Sequence, residues 1–226
     1  MNNFSLSPRM KWVADLLGKN DTVADIGCDH GKLSVYLLQN NLAKSVIATD
    51  ISAESLEKAK KLAEKEGIEG ISFFVGDGFD AVNKTPDAAV ICGMGGDVIA
   101  KIIAHPRAQT RLVLQPMKDS DILFQALFDY GFSIEKEKIV REDNRFYEII
   151  LAVPGKMEKF DFSLAPLDKM ICDCDAVAFF KHKKSVLQKA FSSAQNTKSD
   201  RGNARAKELK ERISVLERVI TDVEGK

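Results

Sequence analysis

The feature that most constrains the fold is an alternation of short apolar segments with helical segments between residues 21 and 153. Strands buried on both faces of a parallel sheet are apolar almost throughout. Five segments fit that description, namely residues 22–28, 45–50, 71–77, 88–94 and 110–115. In the clearest helical segment, residues 53–66, Ser52 is suited to cap the start and Gly67 to end the last turn. The alternation predicts a doubly wound α/β domain.

The pattern changes after a predicted helix at residues 120–130. Residues 133–141 and 145–153 are predicted to be two strands joined by a tight polar turn at residues 142–144. A hairpin at the end of a parallel sheet requires an antiparallel strand, which we expect at the sheet edge. A dinucleotide-binding sheet would more simply continue with parallel strands, so the hairpin argues against that class.

A second, helical domain is predicted to follow. Pro154 and Gly155 mark the boundary between a first domain, residues 1–154, and a second, residues 155–226. Apolar residues then recur at helical spacing, first at positions 180, 187, 190 and 194 and later, in heptad steps, at 209, 213, 216, 220 and 223. Two such helices around the polar residues 195–203 predict an antiparallel, coiled-coil-like hairpin.

The two predicted domains differ in charge, although the whole chain has 33 basic and 33 acidic residues. Residues 1–154 contain 18 Lys and Arg against 22 Asp and Glu, and residues 155–226 contain 15 against 11. Between Lys181 and Arg218 there are 11 basic and 4 acidic side chains. This asymmetry indicates a basic arm that could bind a polyanion. A solvated, lysine-rich helical face has the same composition, so both interpretations stay open.

Cysteine usage and hydropathy suggest the compartment. Cys28, Cys92, Cys172 and Cys174 follow no disulfide or zinc spacing, and on a predicted helix the last two thiols point to different faces. No apolar segment follows Met1, and no run approaches the roughly 18 apolar residues that a membrane span needs. We therefore expect a cytoplasmic protein with reduced thiols, no membrane span and no bound metal.

The loop after the first strand predicts a cofactor site. Gly27 and Gly31 allow the backbone to turn sharply and a ligand to approach it closely. The Gly-x-x-x-Gly spacing lacks the third glycine of the dinucleotide fingerprint. Asp25 is placed to organise this loop or to bind the ammonium group of a cofactor. His30, between the glycines, is a candidate for contacting cofactor or substrate, or for a purely local hydrogen bond.

The ends of the next two strands add carboxylates to the same crevice. Asp50 closes the second strand, where a carboxylate can accept both hydroxyls of a ribose. Asp77 closes the third strand between Gly76 and Gly78, where it can accept a hydrogen bond from an adenine amino group. Ribose and adenine sites without a pyrophosphate loop favour S-adenosylmethionine over NAD.

The fourth strand ends in an unusually glycine-rich loop. Gly93, Gly95 and Gly96 surround Met94, and three glycines in four positions exceed what a strand-to-helix turn requires. The loop offers bare backbone groups and space to a ligand at this strand end.

Five motifs carry a resemblance to known proteins: Asp25-Ile26-Gly27-Cys28-Asp29-His30-Gly31-Lys32-Leu33, Gly76-Asp77-Gly78, Gly93-Met94-Gly95-Gly96, Leu114-Gln115-Pro116 and Glu142-Asp143-x-x-x-Tyr147-Glu148-Ile149. The arrangement resembles the α/β, Rossmann-like class I methyltransferase fold, whose seven-stranded sheet has its last strand antiparallel. The resemblance implies that the reacting atoms lie at the end of the fourth strand, where many amino-group methyltransferases place an amide and an aromatic ring instead of glycines. More narrowly, most of residues 5–153 resembles the bacterial tRNA (adenine-22)-N1-methyltransferase family. Met117 departs from the polar residue expected after Gln115-Pro116.

The resemblance implies transfer of a methyl group from S-adenosylmethionine to N1 of adenine 22, in the D-arm region of tRNA. Adenine N1 carries a neutral lone pair, so no strong base is required and catalysis can depend on orientation. Because N1 lies on the pairing edge, the base must leave its stack. The product ring is cationic, and Asp29 and Asp97 are candidates for stabilising it.

These arguments predict three sets of site residues. The cofactor-binding set is Arg9, Asp25, Gly27, Cys28, Asp29, Gly31, Asp50, Ile51, Gly76, Asp77, Gly78 and Gly93. The substrate-side catalytic set is Asp29, His30, Gly93, Met94, Gly95 and Gly96. The RNA-binding set is Lys181, Lys183, Lys184, Lys189, Arg201 and Arg205. Neither Cys28 nor Cys92 is expected to take part in a chemical step.

Three other functions fit parts of the pattern. The same fold and cofactor could serve another acceptor, such as rRNA, a protein or a small molecule. A non-enzymatic adenosine-binding domain could use the helical hairpin for oligomerisation, although a monomer is slightly favoured. An NAD-linked oxidoreductase is disfavoured by the missing glycine and by the terminal strand hairpin.

Overall fold

The computed structural model describes residues 5–159, 174–196 and 200–224, with the side chains of residues 200–202 and 223 left out of the description. The chain divides into two compact units, Met1–Lys169 and Met170–Lys226. The last strand of the first unit ends at Pro154, where the sequence predicts the domain boundary. The division into residues 1–154 and 155–226 stays a prediction, because residues 160–173 are not described.

The first unit is built on a seven-stranded sheet with the order β3-β2-β1-β4-β5-β7-β6. The strands are β1 (Asn20–Ile26), β2 (Ala43–Asp50), β3 (Ile71–Val75), β4 (Ala88–Met94), β5 (Arg111–Pro116), β6 (Phe132–Glu142) and β7 (Arg145–Pro154). β1 to β5 pair in parallel, and β7 is antiparallel to both neighbours. The predicted α/β class, the seven strands and the antiparallel last strand are confirmed.

The position of the antiparallel strand differs from the prediction. We expected it at the sheet edge, but β7 lies between β5 and β6, and β6 forms the edge. The turn between them contains Asp143 and Asn144 at φ 50° and 61°. Two consecutive residues with positive φ form the tight turn that suits the twist of a hairpin. The chain therefore runs out to the edge along β6 and returns inside it.

Five helices accompany this sheet: α1 (Pro8–Leu17), α2 (Lys32–Gln39), α3 (Ala53–Glu66), α4 (Gly96–Ile103) and α5 (Ser120–Asp129). The predicted ends of α3 are confirmed. The Ser52 hydroxyl accepts a hydrogen bond from the Ser55 amide at 3.2 Å, and Gly67 adopts φ 65° at the C-terminus. Ser52 pairs one of the amides that a helix start leaves without a partner, and the Gly67 amide donates to the Ala63 carbonyl at the other end of the helix.

The core lies around the central strands. Val90, Ile91, Val113 and Leu114 on β4 and β5 are fully buried, whereas the edge strand β3 is only partly covered. This burial explains why the central strands are apolar throughout. Because β1 to β5 are parallel, their carboxyl ends share one edge of the sheet, and the hairpin turn between β6 and β7 lies at that same edge.

The second unit contains α6 (Cys174–Gln195) and α7 (Asp200–Glu224), which pack as an antiparallel hairpin. Lys181 lies 2.6 Å from Glu224, and Lys184 lies 3.5 Å from Glu217. Later residues of α6 therefore pair with earlier residues of α7. The buried side chains are Ala176, Phe179, Phe180, Ala194, Leu209, Leu216, Val219 and Ile220. The helical hairpin is confirmed, and its coiled-coil character stays a prediction.

The described residues contain neither a candidate membrane-spanning helix nor a candidate metal cluster. None of the helices described combines the length and the hydropathy needed to span a bilayer. Within the same residues, no group of three or more His, Cys, Asp and Glu side chains is arranged to hold a metal ion.

Candidate functional site

The loop after β1 is held against β2 by its backbone. The Gly27 and Cys28 amides both donate to the Thr49 carbonyl, at 2.8 and 2.9 Å. Gly27 has φ 70°, so β1 ends at Ile26, two residues earlier than the strand end predicted at Cys28. A Cβ on Gly27 would lie 2.1 Å from Cε of Met94, at the end of a flexible side chain. The loop therefore presents bare backbone beside the end of β4.

Gly31 lies where α2 packs against α3. It starts α2 with φ 69°, and a Cβ there would come within 2.7 Å of the Ala59 Cβ on α3. Packing between α2 and α3 therefore accounts for this glycine. Gly31 is not among the residues that line the crevice described below. Its assignment to cofactor binding stays an untested prediction.

Asp25 is a buried carboxyl on β1, with 5% of its surface exposed. The Ser34 hydroxyl donates to its Oδ2 at 2.6 Å. Burial, and to a smaller extent the neighbouring charge of Asp50, raise the pKa of Asp25 to about 6, although hydrogen bonds from Ser34 oppose the change. Ser34 could not be predicted as a partner of Asp25, because nothing in the sequence distinguishes it from any other serine within a helix.

Asp50 joins the two loops beside it. Its Oδ2 accepts from the Asp29 amide at 3.0 Å, and its Oδ1 accepts from the Ser52 amide at 2.8 Å. Each carboxylate oxygen has a second lone pair, so both can still accept a ribose hydroxyl. Ile51, the next residue, is 76% exposed and offers an apolar surface beside this carboxylate.

The end of β3 has the glycine pattern that the sequence predicted. A Cβ on Gly76 would lie 2.6 Å from the Ala81 Cβ, and Gly78 has φ 53°. Asp77 occupies the capping position of the short 3-10 turn Gly78–Ala81, but its side chain makes no capping hydrogen bond. Its carboxylate lines the crevice and is available to a ligand.

The loop after β4 is packed against the loop after β5. The Met117 amide donates to the Met94 carbonyl at 2.8 Å, and the Gly96 amide donates to the Lys118 carbonyl at 2.9 Å. A Cβ on Gly96 would lie 2.1 Å from the Asp119 carbonyl oxygen, so close backbone packing requires glycine there. Gly93 has φ 78° with open space around it.

Only part of this loop faces the crevice. Cys92, Gly93 and Met94 line it, whereas Gly95, Gly96 and Asp97 do not appear among the described residues that do. The two thiols near the site are protonated at neutral pH, because burial raises the pKa of Cys28 and Cys92 well above the usual range.

Asp29 and His30 lie at the mouth of the crevice. Their side chains are 72% and 46% exposed, and His30 Nε2 is 3.6 Å from Asp29 Oδ1. Asp29 has φ 49°, a conformation that aspartate tolerates better than most residues. Both remain candidates for contacting a ligand that closes the mouth.

Arg9 links the first turn of α1 to the ends of β5, β6 and β7. Its backbone amide donates to Glu142 Oε2 at 2.9 Å, and its Nη1 donates to Gln115 Oε1 at 2.9 Å. Its guanidinium carbon lies 4.5 Å from the centre of the Tyr147 ring. These contacts lie beyond β4, on the side away from the predicted ribose and adenine sites. Glu142 and Gln115 entered the sequence analysis only within family motifs.

Together these residues enclose a crevice of about 680 Å³ along the carboxyl edge of the sheet. This volume is typical of a small-molecule site. From one end to the other, its lining follows the strand order: Asp77 at β3, Asp50 at β2, Asp25 at β1, Met94 at β4, Gln115 at β5 and Glu142 at β6.

The predicted RNA-binding side chains differ in their surroundings within the helical unit. Lys181 and Lys184 are paired with glutamates of α7, and Lys183 Nζ lies 4.6 Å from the centre of the Phe179 ring. Lys189 and Arg205 are exposed, and neither forms an ion pair with another described residue. The side chain of Arg201 lies outside the described residues.

Comparison with known proteins adds a family and several relatives. Residues 6–150 match the model of a methyltransferase domain. The tRNA (adenine(22)-N(1))-methyltransferase of Bacillus subtilis (strain 168) is 30% identical over 97% of this chain and 99% of its own length.

Solved structures are similar over nearly the whole chain. M. capricolum TrmK, solved with its cofactor product S-adenosyl-homocysteine, has a TM-score of 0.82 and 26% identity, with 96% of this chain and 98% of that one covered. A Streptococcus pneumoniae protein solved with S-adenosyl-L-methionine has a TM-score of 0.83 and 26% identity, with coverage of 96% and 100%.

Proposed function

This chain belongs to the methyltransferase domain family and is related over almost its whole length to a tRNA (adenine(22)-N(1))-methyltransferase, and we propose that it methylates N1 of adenine 22 in tRNA. The observation that carries the proposal is the similarity to the B. subtilis enzyme, which extends over 97% of this chain and so includes the helical hairpin. The enzyme uses S-adenosylmethionine, in keeping with the cofactor complexes of its structural neighbours.

The residues present fit this cofactor. Asp50 keeps a lone pair on each oxygen that can accept a ribose hydroxyl. Asp77 makes no capping hydrogen bond, so its carboxylate can accept a hydrogen bond from the adenine amino group. The bare backbone at Gly27 and the open space at Gly93 leave room beside β1 and β4. Asp25 is the buried carboxyl of this lining and would hold the amino-acid ammonium.

The chemistry places modest demands on the protein. When bound, S-adenosylmethionine supplies a sulfonium methyl: the N1 lone pair forms the new bond, the S–C electrons stay on sulfur, and positive charge moves to the adenine ring. The chain contributes by holding the two molecules in line and by excluding water.

A tRNA substrate also suggests which residues contact the RNA and in which compartment the enzyme acts. Within the basic hairpin, Lys189 and Arg205 are the predicted residues best placed to contact tRNA phosphates, because they are exposed and unpaired among the described residues. We place the reaction in the cytoplasm, where tRNA is modified and used.

The test is methyl transfer to unmodified tRNA transcribed in vitro, with labelled S-adenosylmethionine and reverse transcription to locate the product. A methyl group on N1 blocks base pairing, so we expect the label to enter tRNA and transcription to stop one nucleotide before adenine 22. A matched transcript with guanine at position 22 is expected to take no label. Label that enters tRNA without this stop, or enters only rRNA or protein, would contradict the proposal.

A further inference from the structure

Glu142 is a carboxylate at the end of the crevice farthest from the predicted adenine site. The described crevice carboxylates are Asp25, Asp29, Asp50, Asp77 and Glu142. Asp25, Asp50 and Asp77 lie at the ends of β1, β2 and β3, where the cofactor is expected. Asp29 lies at the mouth and is largely exposed. Glu142 ends β6, and nothing in the cofactor assignment uses it.

Glu142 is held in place by α1 rather than by its own strand. Its Oε2 accepts from the Arg9 amide, one of the donors that the first turn of a helix leaves unpaired. The Arg9 side chain is fixed in turn by Gln115 and by packing over Tyr147. Glu142 Oε1 has no hydrogen-bond partner among the described residues and remains available to a ligand.

The strand order places this carboxylate on the acceptor side of the reaction. β4 separates the cofactor strands β1 to β3 from β5, β7 and β6. Neighbouring strands are about 4.8 Å apart. The 6-amino group is bonded to the ring carbon next to N1. A purine whose N1 meets the methyl group beside β4 therefore carries that group over the end of β5, on the side to which Glu142 reaches back from β6. Asp97, the other acidic candidate suggested by the sequence, does not line the crevice.

We propose that Glu142 accepts a hydrogen bond from the 6-amino group of the target adenine, with Arg9 and Gln115 as positioning residues. This assignment rests on the proposed function. As the methyl group joins N1, positive charge spreads to the 6-amino group and makes it a stronger donor. A bond from that group to a carboxylate therefore strengthens in the transition state and lowers the barrier. Guanine presents a carbonyl oxygen at position 6, which the carboxylate repels.

The test combines an enzyme variant with a change of one substrate group. Single-turnover methylation is measured for wild type and Glu142→Gln, on tRNA carrying adenine or purine at the target position. Purine lacks the 6-amino group, and its weaker N1 slows both enzymes equally. We expect the variant to methylate adenine about 10- to 100-fold more slowly than wild type. On purine, the two enzymes are expected to agree within about threefold.

Two measurements separate this role from a structural one. Binding of S-adenosylhomocysteine by calorimetry and the Tm are expected to be unchanged in Glu142→Gln. Glu135→Gln is the matched control, since Glu135 lies on the same strand, is 46% exposed and faces Arg111 at 3.8 Å. That control is expected to behave as wild type on both substrates.

The adenine-to-purine rate ratio decides the outcome. A ratio in Glu142→Gln equal to that of wild type overturns the assignment. If that variant folds poorly, Glu142→Asp is compared in the same way: a ratio below that of wild type supports contact with the 6-amino group, and an unchanged ratio refutes it. Wild-type enzyme that methylates no tRNA at N1 refutes the proposed function, and this assignment with it.

Discussion

Replacing Asp50 with asparagine should weaken cofactor binding. The Asp50 oxygens each accept one backbone amide, at 3.0 and 2.8 Å, and each keeps one lone pair for a ribose hydroxyl. A hydrogen bond to a charged group contributes about 1.5–3 kcal/mol. Because Asp50 is only half-buried, we take the lower value for each hydroxyl. The loss is then about 3 kcal/mol, or about 100-fold in Kd.

This loss can be measured by calorimetry and by thermal unfolding with S-adenosylhomocysteine. At a concentration 100 times its Kd, a ligand stabilises the wild type by about 2.7 kcal/mol, which raises the Tm of a chain of this size by about 5–10 °C. At the same concentration Asp50→Asn should keep only about 0.4 kcal/mol, or about 1 °C.

The matched control is Asp21→Asn. Asp21 is exposed at the opposite end of β1 and pairs with Lys44 at 2.8 Å, so this variant should bind as wild type does. If Asp50→Asn bound S-adenosylhomocysteine within about threefold of wild type, the ribose assignment, and with it the direction of the cofactor along the strand ends, would be wrong.

Three further predictions concern other parts of the chain. Burial raises the pKa of Asp25 from 3.8 to about 6, so between these pH values the folded protein holds a proton that the unfolded chain has lost. The free energy of unfolding is therefore lowered by about 3 kcal/mol above pH 6, where Asp25 is ionised in both states, and is little affected below pH 4. Asp25→Asn should therefore raise the free energy of urea unfolding at pH 7 and should reduce the fall in that free energy as the pH rises from 4 to 6. An unchanged pH profile would refute this. Gly96→Ala should destabilise by about 1–3 kcal/mol in the same assay, whereas Gly155→Ala, whose nearest contact would be an ordinary 3.5 Å, should not; equal effects would contradict the packing argument. Replacing Lys189 and Arg205 with alanine should lower the slope of log affinity for tRNA against log salt by about 1.5, measured by fluorescence anisotropy; an unchanged slope would place the phosphates elsewhere.

The sheet and its crevice could be predicted because their signals are local. A strand buried on both faces must be apolar along its length, and a strand end that meets a ligand must be small or polar. Asp50 and Asp77 therefore stand out in the sequence at the ends of apolar segments. The helix caps Ser52 and Gly67 are equally local, and the structure confirms both.

The reasons for individual glycines could not be predicted. Gly31 and Gly96 resemble ligand-binding glycines in the sequence, yet Ala59 and the Asp119 carbonyl are what a side chain would meet there. A ligand and a neighbouring backbone both require the absence of a Cβ, so one sequence cannot distinguish them.

Contacts between distant residues were also out of reach. The bond between Arg9 and Glu142 spans 133 positions, and neither residue lies in a pattern that indicates the other. The position of β7 inside β6 is a similar case, because the hairpin has the same apolar pattern in either order. These distant contacts build the part of the crevice that we propose for the acceptor, whereas the part proposed for the cofactor is built from local motifs.

A crystal structure with S-adenosylhomocysteine would test the division of the crevice most directly. We expect the ribose hydroxyls on Asp50, the adenine beside Asp77 and the sulfur facing the end of β4, with the space between Met94 and Glu142 left for a purine. A ligand whose adenine lies on the Glu142 side of β4, or whose ribose does not contact Asp50, would contradict the account.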